Sequence, residues 1–155
     1  MQDASLSELS PADLRAFRRL AGFMVPAAEA YRVPGADDAT IFADIVRSLG
    51  RDRPLVRNAL AMLREAVGGD FADLDAATAE AAAFALLARS GPAVTALGRA
   101  VLQCYYRDDR VITSLGLEPR PPFPKGHPLE QGDWSLLDAV RGRPQMWRDV
   151  AGEGR

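Results

Sequence analysis

The chain has a single histidine, His127, and a single cysteine, Cys104, among its 155 residues. One cysteine excludes an intramolecular disulfide and any multi-cysteine metal site. One histidine, set between Gly126 and Pro128, means that any Ser-His-Asp or Cys-His system has to use that residue. No His/Cys spacing suggests a zinc site, and the inward Glu-x-x-His pairs of a di-iron bundle are missing. There is no GxGxxG, and Gly68-Gly69-Asp70 lacks the lysine and spacing of a phosphate loop. Basic excess is absent too: the formal net charge is -2, which argues against a general nucleic-acid or membrane-surface binder. No apolar run approaches the roughly 20 residues that span a bilayer. Residues 1–10 carry neither a basic n-region nor an apolar h-region, so no signal peptide is expected there. Alternating β-branched runs are missing, and no strand is expected.

What is present reads as helix. Apolar residues make up 48% and charged residues 26%, a globular composition. Ser10-Pro11-Ala12-Asp13 combines a serine cap, a proline at the first helical position and an acid in the first turn. Leu14, Phe17, Leu20, Ala21 and Met24 follow at helical spacing, and Pro26 ends the segment. A connection carrying Tyr31 and the turn Val33-Pro34-Gly35 leads to a second helix, capped by Asp37 or Asp38, with Ile41, Phe42, Ile45, Val46 and Leu49 on its apolar face. Asp52-Arg53-Pro54 opens a third, lined by Leu55, Ala59, Leu60, Leu63 and Val67 and closed by Gly68-Gly69. Asp75 caps an alanine-rich fourth helix whose bulk is expected from Phe84, Leu86 and Leu87. Ser90-Gly91-Pro92 breaks it, and a fifth carries Val94, Leu97, Val101, Leu102 and Tyr105. Asp109 is expected to cap a short helix with Val111, Ile112 and Leu115.

The expected fold is therefore all-α: a small bundle of about five helices over residues 1–117, followed by a proline-rich, largely irregular C-terminal arm over 118–155, in a single domain. Pro119, Pro121, Pro122, Pro124 and Pro128 enforce an extended path, with helical turns expected at 136–140 and 145–150. The Phe17, Phe42 and Phe84 series is expected in the core.

Asp37-Asp38 and Asp108-Asp109 are carboxylate pairs, but neighbours in sequence do not face each other on a helix, and both precede helices. Capping accounts for them better than acid–base chemistry. Cys104 is expected to be a buried, inert thiol. No catalytic, cofactor-binding or metal-binding residue is assigned. The late part of the chain instead concentrates aromatic residues and arginines, the types that dominate interface hot spots. The residues expected to face a partner are Tyr106, Arg107 and Arg110 at the end of the bundle, then Arg120, Pro122, Phe123, Pro124 and His127, and finally Trp134 and Trp147.

The runs SPADLRAF, VPGADDATIFADI, CYYRDDRV and LEPRPPFPKGHPLEQGDWSLLDAVRGRPQMWRD resemble the gluconate 2-dehydrogenase subunit 3 family, the small proteins associated with flavin-dependent GMC-type oxidoreductases. The resemblance spans nearly the whole chain and is most specific in YYRDDRV and the GDW tail. It implies a non-catalytic helical accessory subunit with no cofactor of its own. Its partner would be a large subunit that holds FAD and oxidises an alcohol or sugar. The small subunit would stabilise that partner, assist its folding or shape its substrate entrance. Many members carry a twin-arginine export signal. Here residues 1–10 contain no arginine, and Arg18-Arg19 falls inside an expected helix with no h-region after it. A cytoplasmic complex is the expectation, or a periplasmic one if a longer precursor or the partner carries the signal. Two other readings stay open. One is a stand-alone enzyme or ligand-binding bundle with a pocket formed by Tyr105, Arg107, Asp108, Arg110 and His127; the other is a homo-oligomeric structural protein.

Overall fold

In a computed structural model, which describes residues 8–121, 123–126, 128–144 and 146, the chain is all-α. Five longer helices are α1 (Pro11–Met24), α2 (Ala39–Ser48), α3 (Arg53–Val67), α4 (Ala76–Leu87) and α5 (Pro92–Tyr105). Two short ones follow, α6 (Asp109–Ser114) and α7 (Asp138–Arg141). Among the described residues there is no strand, only an isolated bridge between Ala28 and Val33. The chain divides into two compact units, Met1–Pro119 and Arg120–Arg155.

Local chemistry starts the helices. Ser10 accepts from the Asp13 N–H at 3.1 Å while the Asp13 carboxylate accepts from the Ser10 N–H at 3.1 Å, a complete capping box before α1. Asp38 caps α2, accepting from the Thr40 and Ile41 N–H groups, and Asp75 caps α4 through Thr78. At α6 the cap is Asp108, not Asp109. Asp108 has the extended backbone a cap needs and accepts from the Arg110 N–H at 3.0 Å, which places Asp109 in the first turn. Gly68 ends α3 in the left-handed conformation (φ 68°), where a Cβ would be strained.

The core forms around α5, which buries Ala93, Val94, Ala96, Leu97, Ala100, Val101, Cys104 and Tyr105 and packs along α3 and α2. Phe17, Leu20, Ile41, Ile45, Val56, Leu63 and Phe71 complete it with almost no exposure. Asp13, nearly buried, also receives the Arg64 guanidinium and so ties α1 to α3.

Three aromatic or aliphatic expectations fail. Phe84 is 58% exposed instead of filling the core. The stripe that α4 buries is Ala79, Ala83 and Leu86, and Phe84 lies about 140° around the helix from Ala79 at 100° per residue. Small side chains let α4 approach α3 closely, so the alanines are the packing face. Leu102 and Leu115 are likewise exposed, on the far side of α5 and at the end of α6. Phe42 packs at the core margin, edge-on to Phe17 with centroids 5.5 Å apart.

Candidate interaction surface

The YYRDDRV stretch runs from the end of α5 into α6, and its residues divide into two groups. Tyr105 is buried; Tyr106, the residue after α5, is 55% exposed, and the two rings meet edge to face with centroids 5.3 Å apart. Val111, on α6, is buried. The charged residues turn towards α2. Arg107 Nε donates to Asp44 Oδ2 at 2.7 Å, and its guanidinium also donates to the Ser48 hydroxyl. Arg110 donates to Asp38 Oδ1 at 2.8 Å and to Asp108 Oδ1 at 2.9 Å. One guanidinium thus joins the capping carboxylates of α2 and α6, each already favoured by the positive end of its helix. Hydrogen bonds from Arg110 hold both carboxyls below the ordinary aspartate range despite partial burial, and the same bonds push the Arg110 pKa up.

Arg107 and Arg110 reach opposite halves of α2 and do not converge on one pocket. The pocket that a stand-alone enzyme would build from Tyr105, Arg107, Asp108 and Arg110 has its guanidinium donors largely engaged already. His127 lies outside the described residues. A groove of about 440 Å³ beside α3 and α4, lined by Val67, Leu74, Ala82 and Leu86 among others, contains none of the candidate interface residues. Among the described residues no group of three or more His, Cys, Asp or Glu is placed to hold a metal ion, and no single helix is long and apolar enough to cross a membrane.

Cys104 is buried on α5. Burial pushes its thiol pKa up, with the Ser48 hydroxyl and Arg107 opposing only in part. The Arg18-Arg19 pair sits within α1. Arg18 donates to the Asp37 carbonyl at 2.8 Å, and Arg19 to the Phe71 and Ala72 carbonyls at 3.0 and 2.8 Å while lying against the Phe23 and Phe71 rings.

In the arm, Arg120 donates to the Pro121 carbonyl at 3.2 Å and across the turn to the Gly126 carbonyl at 2.7 Å. This bracket carries Phe123, which is 84% exposed, and Pro124, joined by a cis peptide. Asp133 caps the next turn, Trp134–Leu137, through the Ser135 N–H at 3.0 Å. Trp134 opens that turn 61% exposed, its indole N–H donating to Gln131 at 3.4 Å. Leu129, Leu136, Val140 and Met146 are exposed as well. Pro122 and Trp147 lie outside the described residues, as does most of the helical turn expected at 145–150.

Tyr31 and Arg32, in the connection between α1 and α2, were not among the expected interface residues, yet Tyr31 borders clefts that Tyr106 and Arg110 also line. The residue types in that connection give no signal of this placement. The chain has no significant match among protein-family models, curated proteins or solved structures.

Proposed function

We propose that this chain is a non-catalytic subunit that binds and stabilises a larger partner through its C-terminal arm. The observation that carries the reading is the series of large apolar side chains that the arm leaves in solvent: Phe123, Leu129, Trp134, Leu136 and Met146, each between 61% and 87% exposed. Exposed apolar surface on this scale is a feature of binding sites. The prolines among these residues lower the entropy lost when such a segment is ordered on a partner. The resemblance to the gluconate 2-dehydrogenase subunit 3 family supplies the partner: a FAD-dependent GMC-type large subunit oxidising an alcohol or sugar. In this reading the flavin belongs to the partner, and the small subunit stabilises it, assists its folding or shapes its substrate entrance.

Co-expression with a FAD-dependent GMC-type large subunit, taken from beside this gene if one is encoded there, tests the reading. A stable complex on gel filtration, with higher soluble yield of the flavoprotein, is the expected result. Trp134→Ala should weaken assembly by about 2–4 kcal/mol while leaving the melting temperature of the isolated chain unchanged, because the ring is mostly in water. Separate elution, with a large subunit fully soluble and active alone, would sink the proposal.

A further inference from the structure

A second surface forms where YYRDDRV adjoins the connection between α1 and α2. The chain reverses through the Ala28–Val33 bridge, with the Ala28 N–H donating to the Val33 carbonyl at 3.1 Å and the Val33 N–H returning to Ala28 at 3.2 Å. Between them Glu29–Tyr31 makes a 3-10 turn, and Arg32 is driven to φ 53°, the left-handed region that a side chain with a Cβ disfavours. Strain of this kind persists only where surrounding structure enforces it, and it concentrates at functional positions. Tyr31, the residue before Arg32, has 73% of its surface exposed.

Tyr31 and Ser114 are shared by two adjoining clefts. One, of about 240 Å³, is mainly apolar, lined by Val33, Tyr106, Val111 and Leu115 among others. The other, of about 400 Å³, is polar, and its only charged lining residues are Arg32 and Arg110, with no carboxylate. Arg110 is already committed to Asp38 and Asp108 and forms a fixed wall. The Arg32 guanidinium has no hydrogen-bond or ion-pair partner among the described residues, so its planar fork is open to a carboxylate.

We propose that these clefts together dock a segment of a partner protein in which a large apolar residue lies beside an Asp or Glu. The apolar side chain seats against Tyr31, Tyr106 and Leu115, and the carboxylate is taken by Arg32. Tyrosine and arginine are the residue types that anchor interfaces, and clefts that share Tyr31 and Ser114 hold the two groups close together. None of these residues belongs to the arm, so this inference does not rest on the flavoprotein reading, and either can fail without the other.

The test uses the intact, isotope-labelled chain titrated by NMR with a short capped peptide bearing a central Phe-Glu pair in a Gly/Ser background. Phe-Gln and Ala-Glu counterparts and acetate are the controls. Up to about 5 mM peptide, where millimolar affinity registers, saturable shifts should appear at the amides of Tyr31, Arg32, Tyr106, Ser114 and Leu115. The Phe-Gln peptide should bind about tenfold more weakly or worse, the loss expected for one charge-assisted contact, and the Ala-Glu peptide should weaken by a similar factor through loss of its apolar anchor. Arg32→Asn tolerates the left-handed backbone and should weaken the Phe-Glu peptide to the level of Phe-Gln, leaving Phe-Gln unchanged. Tyr31→Ala, at an exposed position, should abolish both. The proposal is overturned by no localised shift, by equal binding of Phe-Glu and Phe-Gln, by indifference to Arg32→Asn, or by acetate reproducing the whole pattern.

Discussion

Replacing Phe84 by alanine separates the sequence-level account of α4 from the observed one. If the ring filled the core, Phe84→Ala would cost about 3–5 kcal/mol through lost burial and a cavity. The structure leaves the residue 58% exposed, off the stripe of Ala79, Ala83 and Leu86 that α4 buries. Truncation then sacrifices about 1 kcal/mol or less of apolar contact, and alanine's better helix propensity restores about 0.5 kcal/mol. The net expectation is a loss between about 0 and 1 kcal/mol. Phe71→Ala provides the contrast. That ring is 1% exposed, lies edge-on to Phe23 at 6.2 Å and carries the Arg19 guanidinium 5.6 Å from its centroid. Its loss should cost about 3–5 kcal/mol. At about 2–4 °C per kcal/mol for a chain of this size, calorimetry should show a fall of about 10 °C for Phe71→Ala and almost none for Phe84→Ala. Equal falls would mean that α4 presents the opposite face to the bundle, and the alanine packing described here would be wrong.

Three further perturbations test the bundle. Burial alone would raise the Asp13 pKa, but hydrogen bonds from Ser10 and the Arg64 guanidinium outweigh it and hold the carboxyl below its usual value. A lowered folded-state pKa adds stability that is complete above the unfolded value of about 4 and is lost as pH falls through the folded value. Asp13→Asn should therefore be about 1–3 kcal/mol less stable at neutral pH and should lose less stability than the wild type on acidification below about pH 4; parallel profiles would refute the assignment. The Cys104 thiol, buried with a raised pKa, should react with a thiol reagent about 100-fold more slowly than a free cysteine until the chain is unfolded. Gly35→Ala would place a Cβ 2.9 Å from the Ala27 backbone nitrogen and against the Asp37 carboxylate, so a loss of about 1–3 kcal/mol is expected in chemical denaturation.

Features governed by near neighbours in the chain could be read from residue types. Ser10 with Asp13, Asp38, Asp75 and the glycine after α3 are caps whose chemistry is complete within four residues, and all occupy the expected ends. Where the outcome depended on distant partners, residue types were silent. Asp108 and Asp109 offer identical side chains, and their roles separate in a structure where Arg110 bridges Asp108 to Asp38, 72 residues before the arginine. In α4 the near-uniform alanine leaves no contrast between faces, so residue size alone points the largest ring inward, whereas close helix approach requires the smallest side chains there. Arg32 gave no warning of its backbone, because the left-handed region is one that its residue type rarely enters.

The same distinction redistributes weight among the candidate interface residues. Arg107 is of a residue type that dominates interface hot spots, but its guanidinium engages Asp44, 63 residues earlier, and Ser48. Arg110 is held still more completely by two carboxylates. A partner recruiting either would have to break charge-assisted bonds before making new ones, so both serve better as rigid walls than as anchors. Tyr106 is different: one edge of the pair packs on Tyr105, and over half of its surface remains in water. Arg120 closes its own turn, and what that turn offers outward is Phe123. Trp134 spends only its indole N–H internally, in a 3.4 Å contact that another acceptor can replace at little cost. The residues with most to gain from a partner are therefore aromatic rather than cationic, with Arg32 as the exception.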